Sequence, residues 1–98
     1  MRDGAVTLSK LLSSETKGEL LILFRKNPGL IDTVEGVARR IGRRANAIET
    51  EVKEFMDLGL LSRKRIGSAV VIFLNVEKDK EIQEIVAKHL GSLKGNKP

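Results

Sequence analysis

The chain has 98 residues, 18 Lys and Arg against 13 Asp and Glu, and a formal net charge of +5. That length suits one domain with a single core and leaves no room for a catalytic domain with a separate substrate-binding half. Cysteine is absent, which excludes disulfides, zinc ribbons and thiol nucleophiles, and the positive balance points to a polyanionic partner.

The start, MRDGAVTLSKLL, has no apolar run long enough for a secretory signal, and nothing later approaches the roughly 20 apolar residues of a membrane span, so a cytoplasmic address is expected. Leu8, Leu11 and Leu12 suggest one or two turns of an apolar-faced helix. SSETKGELLILFRKNPG then reads as the first main helix. Thr16 and Glu19 have capping-box spacing, Leu20, Leu23 and Phe24 share a face, and Asn27-Pro28-Gly29 is the stop.

In IDTVEGVARRIG, Asp32 and Glu35 repeat the cap spacing, Val34, Val37, Ala38 and Ile41 recur at helical intervals, and Gly42 ends the helix. Gly36 inside it costs about 1 kcal/mol against alanine. RRANAIETEVKEFMDLGLL places Ile48, Val52 and Phe55 at i, i+4 and i+7 and closes at Gly59, which predicts a third helix of four turns. Two short amphipathic helices joined at a glycine form a helix-turn-helix, whose second member is the one that enters a groove.

LLSRKRIGSAVVIFLN has the composition of a hairpin around Gly67-Ser68. Pairing Ile66 with Ala69 sets Arg65 opposite Val70 and Lys64 opposite Val71, which leaves neither face cleanly polar. EKDKEIQEIVAKHL closes the pattern as an amphipathic helix over 77–90 with Ile82, Ile85, Val86 and Leu90 on one side. Residues 91–98 are expected to be a disordered tail. The predicted class is α+β and mostly helical, a winged helix-turn-helix with flanking N- and C-terminal helices. One domain is expected over 1–90, with its core in 14–75.

Arginine is clustered where lysine is not: Arg39, Arg40, Arg43, Arg44, Arg63 and Arg65 are six of the eight arginines. The planar guanidinium is the better donor to phosphates and base edges. A rotation of about 100° per residue, with Ile48, Val52 and Phe55 inward, turns Arg43, Asn46, Thr50, Lys53 and Asp57 outward and puts Ala47 on a shoulder. Arg43, Asn46, Ala47 and Thr50 are groove-reading types: a donor fork, an amide suited to adenine, a small apolar contact and a hydroxyl. The competing reading is a solvated basic surface, with Arg63, Lys64 and Arg65 as charge protecting an edge strand. Glu49, Glu51 and Glu54 would repel phosphates if they faced them, and Glu51 could instead pair with an arginine of the preceding helix.

Residues 14 to 75 resemble an ArsR-like winged-helix DNA-binding domain of prokaryotic, especially archaeal, transcription regulators. The resemblance rests on SSETKGELLILF, on VARRIGRRANAIETEVKEFMDLGLLSRKR, and on the hairpin ending at Leu74-Asn75. It implies a double-stranded DNA partner read by the third helix through Arg43, Arg44, Asn46, Ala47 and Thr50, with Arg63, Lys64 and Arg65 as wing-side phosphate contacts. It also implies a homodimer built from the terminal helices. Ser68-Ala69 stand where family wings often carry an arginine or asparagine, and the strand AVVIFL is more apolar than the family pattern. Metal sensing is not expected from a chain with no cysteine and one histidine, His89.

The expected DNA-binding set is Arg39, Arg40, Arg43, Arg44, Asn46, Ala47, Thr50, Lys53, Arg63, Lys64 and Arg65, with no cofactor, no metal and no membrane. A sequence-specific transcriptional regulator is the leading reading. A winged-helix protein-interaction module is the alternative, suited to the glutamates and the apolar strand. Single-stranded nucleic acid is disfavoured by three Phe with no Tyr or Trp as stacking platforms. Catalysis lacks any nucleophile, base and acid set.

Overall fold

In the computed structural model, residues 13–93 are described and form, in order, α1 (Glu15–Lys26), β1 (Ile31–Asp32), α2 (Val34–Arg40), a 3-10 turn (Ala45–Ala47), α3 (Glu49–Asp57), β2 (Leu61–Ile66), β3 (Ala69–Leu74) and α4 (Val76–Leu93). The expected helix around Leu8, Leu11 and Leu12 lies outside the described residues.

The caps differ in detail from the spacing-based expectation. Ser14, not Thr16, caps α1, its hydroxyl accepting from the Lys17 amide at 3.1 Å. Thr33, not Asp32, caps α2 by accepting from the Gly36 amide. Asp32 instead accepts from the Thr33 amide at 2.8 Å and from Arg40 at 3.2 Å. A Cβ on Gly36 would overlap the Asp32 carboxyl group, so the glycine that weakens α2 by propensity makes room for the residue that orders its entry.

Gly42 has φ 70°, and the amides of Arg43 and Gly42 bond back to the carbonyls of Ala38 and Arg39. This is a Schellman ending, and it needs the left-handed conformation that glycine adopts without strain. The four-turn third helix of the sequence reading is shorter in the structure. Its first part is the 3-10 turn, Ile48 is the junction, and α3 proper begins at Glu49. Arg43 and Arg44 therefore precede the helix and do not follow its wheel.

The hairpin has the register expected from its turn: Ile66 opposite Ala69, Arg65 opposite Val70 and Lys64 opposite Val71. Directly opposed residues share a face of an antiparallel pair, so Leu61, Arg63 and Arg65 lie with Leu74, Ile72 and Val70, while Ser62, Lys64 and Ile66 lie with Phe73, Val71 and Ala69. The first face is the one that meets the core at its base, through buried Leu61, Ile72 and Leu74. β1 adds a third antiparallel strand beside β3, in the order β1-β3-β2.

Leu20, Phe24, Val37, Ile48, Val52, Phe55, Leu60 and Ile72 are all but completely buried, and with Leu61 they join α1, α2, α3, β2 and β3 in one cluster. α4 joins through Ile82, with Val86 packed partly against the cluster. Beyond that point its apolar side emerges, and Leu90 is 44% exposed. The helix continues to Leu93, past the expected end at 90. Arg25 clamps the other end of α4, bonding the buried Asp79 carboxylate at 2.8 and 3.0 Å, and Gln83 donates to the second oxygen.

Candidate nucleic-acid interface

The turn from Gly42 to Ile48 and the outer side of α3 carry most of the residues singled out in the sequence, and their partners sort them. Arg43 is half-buried and occupied: its Nε donates to Glu19 Oε1 at 2.7 Å and its Nη2 to Glu19 Oε2 at 3.2 Å, while Glu15 lies 3.6 Å away. The bidentate pair holds the Glu19 carboxyl below its ordinary range and raises Arg43, to which Glu15 and Glu51 also contribute. Arg43 therefore joins the turn to α1 instead of standing outward on α3 as its wheel position suggested. The Schellman ending at Gly42 fixes the backbone from which its side chain reaches back.

Arg40 is tied to Asp32, whose pKa is lowered chiefly by the Thr33 amide and further by Arg40 and Arg39. Lys53 makes an exposed contact with Asp57 at 3.7 Å, one helical turn on. A pair of this kind contributes a few tenths of a kcal/mol at most (about 0.3–0.5) and leaves the ammonium accessible.

Arg39, Arg44, Arg63, Lys64 and Arg65 are exposed and make no ion pair among the described residues. Between those two groups in the sequence, Asn46, Ala47, Glu49 and Thr50 are exposed too. No side-chain oxygen caps the start of α3. The hairpin divides its cations, with Arg63 and Arg65 on one face and Lys64 on the other. α3 and β2, joined through Leu58, Gly59 and Leu60, are in contact.

Two ion pairs link α1 to this region, the Arg43 pair and one between buried Lys17 and Glu54. Sequence reasoning missed both. The first is visible in retrospect only as Glu15 and Glu19 one turn apart on α1, since nothing local signals a partner 24 residues away. Glu51 contributes to the field at Arg43 but not to an arginine of α2.

No group of three or more His, Cys, Asp or Glu placed to hold a metal ion occurs among the described residues, and none of their helices is long and apolar enough to cross a membrane. An open groove of about 430 Å³ between α1 and the end of α2 is lined by Glu19, Ile22, Leu23, Lys26, Asn27, Arg40 and Ile41.

No family model and no curated protein matches the sequence. Solved structures do match the fold. The AntR antimony-specific transcriptional repressor superposes with a TM-score of 0.64 at 21% identity, covering 93% of this chain and 78% of that one. The homodimeric winged helix-turn-helix DNA-binding domain of Mb0332 from Mycobacterium bovis, a possible ArsR-family transcriptional regulator, gives 0.63 at 14% identity over 97% of this chain and 86% of that one. A possible transcriptional regulator from Methanosarcina mazei Go1 gives 0.64 at 12% identity over 93% and 82%. The chain shares its fold with these three structures and is a winged helix-turn-helix like the Mb0332 domain.

Proposed function

We propose that the protein is a sequence-specific double-stranded DNA-binding transcriptional regulator, with α3 and the 3-10 turn before it in the major groove and the hairpin on the phosphate backbone. The observation that carries this reading is the set of exposed cations Arg39, Arg44, Arg63, Lys64 and Arg65, which make no ion pair among the described residues and flank Asn46, Ala47 and Thr50 in the sequence. Cations held by carboxylates belong to the fold, whereas accessible ones can displace counterions from phosphates. Asn46 offers an amide for adenine, Ala47 a contact for a thymine methyl, and Thr50 a hydroxyl. Lys53 and Arg40 stand at the margin, and Arg43 acts chiefly by fixing the turn that presents Arg44 and Asn46.

The neighbour Mb0332 fragment is a homodimer. The same assembly suits this chain, because the apolar side of α4 runs past the core to an exposed Leu90. Two copies would set two α3 helices in successive major grooves about one helical turn apart and favour a near-palindromic site.

The exposed Ile66 and Val70 at the hairpin tip favour a second reading, a protein-interaction module. Binding of the chain to duplex DNA across a salt series separates the two. DNA binding predicts a steep loss of affinity with salt, and Arg44→Ala reduces the slope by about one. No salt-sensitive binding, or an unchanged slope in Arg44→Ala together with Arg63→Ala, contradicts the proposal.

A further inference from the structure

α3 carries four carboxylates, an odd composition for a helix meant to enter a polyanion, and the structure disposes of three of them. Glu54 pairs with buried Lys17, Asp57 with Lys53, and Glu51 is half-buried. Glu49 is exposed, makes no ion pair among the described residues, and sits beside exposed Thr50, separated from the exposed Asn46-Ala47 pair by the buried Ile48.

We infer that Glu49 is a specificity-determining residue that accepts a hydrogen bond from the exocyclic amino group of a cytosine in the major groove. The inference rests on the DNA-binding reading above. Against a phosphate, an unpaired carboxylate only repels. Against a base edge it discriminates, because cytosine N4 presents a donor there, while guanine N7 and O6 and thymine O4 present acceptors. Adenine offers an amino group with the N7 acceptor next to it, which disfavours a carboxylate. The contact therefore works as much by excluding wrong bases as by attracting the right one. A structural role is the competing account, since a carboxylate in the first turn of a helix also complements the positive end of its dipole.

The two accounts separate when wild type, Glu49→Gln and Glu49→Ala are each used to enrich binding sites from a random duplex pool at one salt concentration, with thermal melting as a check on folding. The expected result is a cytosine at one position of each half-site for wild type. That preference is lost in both variants and replaced by adenine in Glu49→Gln, whose amide suits adenine, with the other positions unchanged. Replacing that cytosine by guanine weakens wild-type binding by roughly five- to a hundredfold and the variants by much less. Identical base preferences in all three proteins, with the variants binding every sequence more tightly, would overturn the inference and leave DNA binding standing. If the wild-type chain enriches no sequence, the DNA reading falls and this one with it.

Discussion

Arg43 and Arg44 are adjacent, yet the structure gives them opposite circumstances. The guanidinium of Arg43 is clasped by Glu19 and approached by Glu15, while that of Arg44 is exposed and makes no ion pair among the described residues. Removing Arg43 is therefore expected to act first on folding. Folding lowers the pKa of Glu19, first through the hydrogen bond from Arg43. A carboxyl lowered in this way contributes stability that is complete above its unfolded value and is lost as the pH falls through the folded one. Arg43→Ala should accordingly melt below wild type at neutral pH, and the gap should close on acidification through and below the ordinary carboxylate range. Melting curves of both proteins across that range check this, and a gap that persists unchanged into strong acid would assign the contribution of Arg43 to packing. The arginine cluster itself was legible in the sequence because composition shows where cations are. Which of them are free was not, since Glu19 is remote in the chain and the Schellman turn that swings Arg43 toward it is a backbone property.

At the scale of elements, apolar periodicity located α1, α2, α3, the hairpin and α4, and the turn glycine fixed the hairpin register residue by residue. These features come from local rules that the tertiary structure has no reason to override. Two misses also have physical causes. β1 is two residues long, too short for alternation to register, and exists because β3 offers it an edge. The early part of the third helix tightens to a 3-10 turn, so wheel positions before Ile48 do not carry over. α4 is the element whose pattern exceeds what the monomer uses. Ile82 is in the core, Val86 is half-buried, and Leu90 is left open to solvent. If α4 forms the dimer contact, Leu90→Glu should weaken self-association by about a hundredfold or more, since both copies lose a leucine side chain, with little change in the melting of the monomer. Sedimentation across a concentration series measures this. An unchanged dissociation constant would place the contact elsewhere on the molecule.

For the whole molecule, the division of charge matters more than its sum. Carboxylates of β1 and α1 hold Arg40 of α2 and Arg43 of the turn. Of the exposed cations that make no ion pair among the described residues, Arg39, Arg44, Arg63, Lys64 and Arg65 lie between α2 and the end of β2, and Lys26, Lys80 and Lys88 lie on α1 and α4. α3 and β2 are in contact, and the proposed interface needs the basic residues of β2 to share the side on which α3 is exposed. The fold makes such an arrangement available, but function depends on the accessible side chains. The most direct test is residue-resolved NMR of the labelled chain titrated with a short duplex enriched by it. The account predicts that the largest shifts fall at residues 44–53 and 63–65 and shrink together as salt is raised. Shifts confined to the outer sides of α1 and α4, or a response centred on Ile66 and Val70 that survives high salt, would contradict it.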